Sequence, residues 1–290
     1  MLVYIVLFKT IFRELSAKMP FERQPESDLV MSDEVSVLAY DKGGRTSGAL
    51  SGTYLYHLAQ MCLMIKPGDV VLDLGCGPGN LLAQVAKLNP RTEFIGLDLS
   101  DSMLNIANIK MKQQNISNIE LRVADMTQLS EFGNGSIDVI ISSMAIHHLP
   151  DLTALDTTFA EIARILRADG AVYLNDFGRL KDKKSVDYFV SRAAEGEEPI
   201  LIQDYVQSLH AAFSKSEFEE VVARHLGGRA QVYSTIVSPL VIVVKGGTQH
   251  FPLVSKKELN MLYRALPKSR KADIKQMKLF LRLGGLPSAL

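Results

Sequence analysis

Between residues 70 and 175, short runs rich in β-branched residues alternate with stretches of helical period. Apolar runs at 70–74, 93–99, 119–124, 137–142 and 171–175 predict five strands. The stretches 80–88, 101–113 and 152–166 predict the intervening helices, with Ser100 and Asp151 as N-caps. DVIIS and FIGLDL are continuously apolar, as in strands covered on both faces. Strands and helices alternating at this spacing imply parallel βαβ units. Beyond residue 178 the pattern changes. Helices are predicted near 185–194, 202–213 and 216–225, followed by QVYSTI and PLVIVVK with only Val237 and Ser238 between them. That ending predicts an antiparallel pair, and so an α/β chain with a mostly parallel seven-stranded sheet.

Composition changes this picture mainly at the two ends. The 290 residues carry no formal net charge, yet residues 255–290 hold nine Lys/Arg against two Asp/Glu. The tail is therefore +7 and the remainder −7. Within the tail Ile274, Met277, Phe280 and Leu281 form an apolar stripe among Lys271, Lys275, Lys278 and Arg282. A basic amphipathic helix can lie on a membrane surface or dock onto its own acidic domain. The matching charge favours docking over membrane contact. At the other end, the apolar run of MLVYIVLFK stops at Lys9 and no basic stretch precedes it. It is too short for a membrane span and in the wrong order for a secretory signal, so a short amphipathic helix is expected. The expected organisation is an N-terminal helical extension (1–35), a main domain (36–247) with a helical insertion near 178–213, and a basic helical tail (248–290). Two cysteines, Cys62 and Cys76, cannot build a disulfide framework, which suits the reducing cytoplasm.

The chemistry concentrates at VVLDLGCGPGN, residues 70–80. A glycine loop that follows a buried parallel strand and opens a helix is where open α/β sheets bind ligands. Glycines permit positive φ and let a ligand lie on the backbone. A dinucleotide fingerprint requires G-x-G-x-x-G, whereas Asn80 stands after G-x-G-x-G here. Asp73, two residues before the first glycine, would repel a pyrophosphate and attract an ammonium. These features favour a zwitterionic amino acid joined to a nucleoside. Asp98 ends the next strand, where an acid accepts ribose hydroxyls. Asp125 ends the third and can accept from an exocyclic amino group, with Leu99 and Met126 covering the flat ring.

VLDLGCGPGN, GLDLS, VADM and SSMAIHHLPD resemble the successive motifs of class I S-adenosylmethionine-dependent methyltransferases. The likeness is to the small-molecule group that includes ubiquinone-, menaquinone- and biotin-pathway enzymes, and it covers roughly residues 36–246. It implies a Rossmann-like fold, S-adenosyl-L-methionine as cofactor and a small-molecule methyl acceptor. By the same resemblance Gly75, Gly77 and Gly79 pass under the methionine moiety and Asp73 serves its amino end. Asp98 would hold the ribose, Leu99 and Met126 would flank the adenine, and Asp125 would reach its amino group. Ser142 would offer its backbone near the methionine amine. Tyr40 and Arg45, before the first strand, are placed to meet the methionine carboxylate or an acidic substrate.

Methyl transfer from a sulfonium needs alignment and, for a neutral hydroxyl or protonated amine, removal of a proton. His147, His148 and Asp176 are the candidate catalytic residues, with an oxygen or nitrogen acceptor expected. The insertion around Gln203, Asp204, Tyr205 and His210 is the expected place of acceptor selectivity. No Asp/Asn-Pro-Pro-Tyr follows the fourth strand, so methylation of nucleic-acid bases is not expected. Too few cysteines are present for arsenite chemistry or a radical iron–sulfur cluster. No His/carboxylate cluster with metal-ligand spacing stands out, so no metal is expected. A non-catalytic cofactor-binding protein and a nucleotide-dependent oxidoreductase remain as alternatives.

Overall fold

A computed structural model of the chain describes residues 2–26, 34–44, 48, 50–194, 198–248 and 256–287. Three helices, α1 (Leu2–Ser16), α2 (Glu34–Gly43) and α3 (Ser51–Cys62), precede the sheet. Then come β1 (Val70–Leu74), α4 (Asn80–Leu88), β2 (Glu93–Asp98), α5 (Asp101–Gln113) and β3 (Ile119–Val123). They are followed by β4 (Ile137–Ser143), a 3-10 turn at Ile146–His148, α6 (Leu152–Ile165) and β5 (Leu166–Phe177). The last part holds α7 (Lys183–Ala193), α8 (Pro199–Ala211), α9 (Lys215–His225), β6 (Ala230–Ser234), β7 (Val241–Gly246), α10 (Lys256–Ala265) and α11 (Lys268–Leu283).

The sheet has seven strands in the order β3-β2-β1-β4-β5-β7-β6. β1 to β5 run parallel, and β7 is antiparallel to both β5 and β6. This is the Rossmann-like arrangement expected from the sequence. The alternation of side chains along each strand feeds two cores. Val71, Val139, Ile141 and Tyr173 pack with Phe94 and helix α3 on one face. Leu72, Leu74, Ile140 and Val172 pack with Phe159 of α6 and Phe218 of α9 on the other. Both faces being dry explains why the strands read as unbroken apolar runs.

The predicted caps form. Ser100 Oγ accepts from Met103 N at 3.2 Å and Asp151 Oδ1 from Ala154 N at 2.8 Å. Each such cap is worth about 1 kcal/mol. The fifth strand is longer than the apolar run suggested, because it pairs at Ile137↔Leu166, slips register, and resumes at Val139↔Ala171. The four residues 167–170 between those pairings carry the polar sequence that hid its start.

The C-terminal stripe turns inward. Ile274 and Leu281 are buried in the same core as α3, with Leu259, Leu266 and Leu286, and Met277 packs against that core. The Phe280 carbonyl accepts from Ile236 N, which ties α11 to the end of β6. Among the described residues no helix is long and apolar enough to cross a membrane.

Candidate functional site

Strand order reverses between β1 and β4, and it is in the crevice at such a switch point, at the carboxyl ends of the strands, that open α/β sheets bind ligands. The three glycines after β1 all hold positive φ, at +71°, +53° and +68°, yet they do different things. A Cβ on Gly75 would strike Ala145 Cβ at 2.3 Å, and one on Gly79 would strike Met111 Cε at 2.7 Å. Those two are bare so that the 3-10 turn and α5 can approach. Among the described residues a Cβ on Gly77 would meet nothing nearer than Tyr40 Cε1 at 4.0 Å, so Gly77 borders space that none of them fills. The resemblance assigned all three glycines to the ligand. Gly79 also packs against α5, whose Met111 and Ala107 approach the place of its missing Cβ.

Asp73 is 5% exposed and accepts no hydrogen bond among the described residues. Burial, with nearby Asp98 adding to it, pushes its carboxyl up to about 8. Asp98 has a second role that spacing did not reveal. Its Oδ2 accepts from Gly77 N at 2.8 Å and its Oδ1 from Ser100 N at 2.9 Å, so it braces the glycine loop. Asp125 Oδ1 accepts from both Thr127 N and Thr127 Oγ1 at 2.8 Å, and neither bond uses Oδ2. Leu99 is 41% exposed, unusual for a leucine at a strand end, and Met126 reaches over Gly75. The Ser142 hydroxyl donates to Leu74 O at 2.6 Å, locking β4 to β1 and committing its side chain there.

Asn80, the residue that broke the dinucleotide pattern, ties α2 down over the loop. Its Nδ2 donates to Asp41 O at 3.0 Å, and Lys110 Nζ bridges Asp41 Oδ1 and Pro78 O, each at 2.6 Å. This clamp brings Tyr40 above Gly77. Burial, and then its bond to Tyr54, raises the Tyr40 phenol well above its ordinary value. Arg45 lies outside the described residues.

The sequence matches the methyltransferase-domain family over residues 65–225, more than half of the chain. The chain belongs to that family. The demethylmenaquinone methyltransferase of Lactobacillus johnsonii is 36% identical over 112 residues, which is 38% of this chain and 44% of that protein. The malonyl-[acyl-carrier protein] O-methyltransferase of Legionella pneumophila is 32% identical over 127 residues, 44% of this chain and 42% of that one. The chain thus spans less than half the length of these curated relatives. The crystal structure of a SAM-dependent methyltransferase from Aquifex aeolicus overlays with a TM-score of 0.53 at 15% identity, covering 74% of this chain and 98% of that one. The family's cofactor is S-adenosylmethionine, and the residues here fit it. Asp73, a buried acid with no hydrogen-bond partner among the described residues, suits its ammonium, and the open face of Gly77 leaves room for its backbone-hugging amino acid.

Beyond β4 lies a second group of polar residues. His147 is 3% exposed, and its Nδ1 lies 2.6 Å from Asp176 Oδ1 while its backbone N–H donates to Asp176 Oδ2 at 2.9 Å. Asp176 was expected beyond the fifth strand, facing substrate or capping a turn. It lies inside β5, 1% exposed, and its carboxylate is turned onto His147. There it is placed to orient that ring.

His148 is half-exposed and its Nδ1 lies 2.8 Å from Glu26 Oε2. Burial alone would lower the His148 pKa, but the Glu26 carboxylate outweighs it and leaves it raised. Glu26 was not foreseen. It is delivered by the extended segment 20–26, which Arg23 straps across the turn. Arg23 Nε donates to Ala211 O and Nη1 to Pro150 O, each at 2.6 Å, and Nη2 donates to His147 O at 3.0 Å and also to Leu149 O. Its guanidinium also sits 3.9 Å above the Phe213 ring. The insertion closes the same side: Tyr205 lies 5.3 Å from Phe177, and burial followed by Glu26 raises the Asp204 pKa. His210, from α8, has its ring against Phe21 of the strap instead of the cluster.

Proposed function

We propose that the protein transfers the methyl group of S-adenosylmethionine to an oxygen or nitrogen of a small-molecule acceptor. The observation that carries this reading is Asp73, a buried acid with no hydrogen-bond partner among the described residues, beside the open glycine at the sheet's switch point. When bound, the cofactor supplies a methyl group already activated on its sulfonium. The chain's own residues do the rest. Asp73 receives the ammonium, and Asp98 holds the ribose through the lone pairs its backbone donors leave free. Asp125 Oδ2 accepts from the adenine amino group, with Leu99 and Met126 on the ring faces. Tyr40 closes over the methionine end, and the backbone of Ser142 lines it.

The acceptor lies between the glycine loop and the His147–His148 turn, where Tyr205 and Asp204 select it. Because Asp176 accepts only, it holds the proton on His147 Nδ1 and leaves the Nε2 lone pair to take the acceptor's proton. Three measurements test the reading. Calorimetry should show S-adenosylhomocysteine binding, with neither NADH nor NADPH binding at micromolar levels. Incubation with cofactor and a panel of metabolites, read by mass spectrometry, should show one metabolite gaining a methyl group. His147→Ala should lower turnover about 10²–10⁴-fold with cofactor affinity nearly unchanged. Binding without any turnover would instead support a cofactor-sensing protein.

A further inference from the structure

Two imidazoles and a carboxylate converge where the strap crosses the turn. One ligand atom from each of Glu26, His147 and His148 lies within 4.8 Å of the other two. Glu26 Oε1 is 3.9 Å from His147 Nε2, and Glu26 Oε2 is 2.8 Å from His148 Nδ1. The two rings stand 4.2 Å apart, tilted by 36°. Nitrogen and oxygen ligands about 2.0–2.2 Å from a tetrahedral zinc ion sit roughly 3.2–3.6 Å from one another. The two observed separations, one to each carboxylate oxygen, fall on either side of that range, so rotation of these side chains would bring the three ligand atoms onto one ion.

The surroundings strengthen the case. Asp176 fixes the Nδ1–H of His147 and aims its Nε2 lone pair at Glu26, the carboxylate–histidine support that metal-ligating histidines use. The Ser208 hydroxyl donates to Glu26 Oε1 at 3.0 Å and fixes that carboxylate as well. Asp204 lies close enough to act electrostatically on Glu26 and both histidines, which adds negative charge around the cluster.

We propose that Glu26, His147 and His148 form a binding site for one divalent first-row metal ion of the zinc class, beside the acceptor position. The ion would take the place of the direct contact between His148 Nδ1 and Glu26 Oε2. Three protein ligands leave a coordination position open, as in catalytic sites. An acceptor hydroxyl entering that position loses its proton to water on coordination, and its oxygen then takes the methyl group. The proposal rests on the methyl-transfer reading and changes the role of His147 from proton acceptor to ligand, since one lone pair cannot serve both. The acceptor class it implies is an oxygen nucleophile able to ligate a metal, such as a phenol, an enol or a hydroxy acid.

The test uses the full chain, stripped of metal with a chelator and titrated with Co²⁺ and then Zn²⁺. Visible absorption bands of bound Co²⁺ and calorimetry with Zn²⁺ should both give one ion per chain. Glu26→Gln and His148→Ala, at half-buried positions, should each weaken binding at least about 100-fold, as should His147→Ala if it folds. Asp176→Asn should weaken it about 10–100-fold without abolishing it. His225→Ala, at a surface site beside Asp156, should change nothing. Chelation should lower turnover and Zn²⁺ should restore it. Absence of ion binding by the unaltered protein, binding that survives Glu26→Gln and His148→Ala, or turnover indifferent to chelation would each overturn the proposal. Affinity for S-adenosylhomocysteine, measured on the metal-free protein, reports separately on the methyl-transfer reading.

Discussion

The two halves of the crevice are built in different ways. On the cofactor side, Asp73 lies in β1 and Gly77 in the loop after it, Asp98 ends β2 and Asp125 follows β3, and each is placed by the local run that contains it. On the acceptor side, Glu26, His147, Asp176 and Asp204 come from four distant segments and meet only when the chain has folded. A site assembled from strand ends inherits its geometry from sheet register, which apolar patterns specify. A site assembled from an extended strap inherits its geometry from a few side-chain bonds. The first should resist mutation of neighbours; the second should depend on single residues far along the chain.

The sharpest way to break the comparison lies within the glycine loop. Gly77→Val should abolish S-adenosylhomocysteine binding, a loss of at least about 100-fold, because the branched side chain fills the open space. Valine at φ +53° also strains the loop, so the melting temperature should fall modestly. Gly79→Val should do the reverse in emphasis. Its side chain drives into Met111 and Ala107 of α5, and overpacking of that kind costs about 1–3 kcal/mol. Calorimetry and thermal melting on both variants separate the roles. Equal loss of affinity with equal loss of stability would erase the distinction between a ligand-facing and a packing glycine.

Arg23 tests the acceptor side. Charge-assisted hydrogen bonds contribute about 1.5–3 kcal/mol each, and Arg23 donates several to carbonyls of the turn and α8. Loss of even one such contribution shifts the ordered strap's population about tenfold. Arg23→Ala should therefore lower turnover tenfold or more and leave S-adenosylhomocysteine affinity within about twofold. If cofactor affinity falls in parallel, the two halves are not separate.

The same contrast explains what the sequence revealed. β1, α4 and α5 fall on the predicted bounds because their periodicity and caps are local. Asp98 and Tyr40 were legible as candidates and the structure sets both beside Gly77, although the loop-bracing bonds of Asp98 were not legible. Glu26 and Arg23 lie in MPFERQPE, an extended segment with neither strand nor helix period, so no pattern marked them. The charged FER preceding a glutamate was the one signal, and it reads equally well as a solvated linker. Asp176 was misjudged because β5 runs through Phe177, two residues past the apolar run, and carries it inward. The basic tail behaved as its stripe indicated: apolar burial, at about 1.5–3 kcal/mol per large side chain, outweighs surface charge.

The smallest expected effect concerns protons at Asp73, and it probes the cofactor side alone. With a pKa raised to about 8, the carboxyl is mostly protonated at pH 7 in the cofactor-free protein. An unfolded aspartate ionises near 3.9, so between about pH 4 and 8 the folded state holds the extra proton. Stability of the cofactor-free protein should therefore fall as pH rises through that window and level off above it. An ammonium beside Asp73 favours the ionised form, so binding expels the proton. Affinity for S-adenosylhomocysteine should rise roughly fivefold between pH 7 and 8 from this group, and buffers of different ionisation enthalpy should reveal the released proton. Asp73→Asn removes the titration, so its weaker binding should lose this pH dependence. Affinity of the unaltered protein that stays flat across this range would mean that Asp73 does not face the ammonium. The acid would then serve the loop, and the cofactor side would lose the residue that separates it most clearly from a nucleotide site.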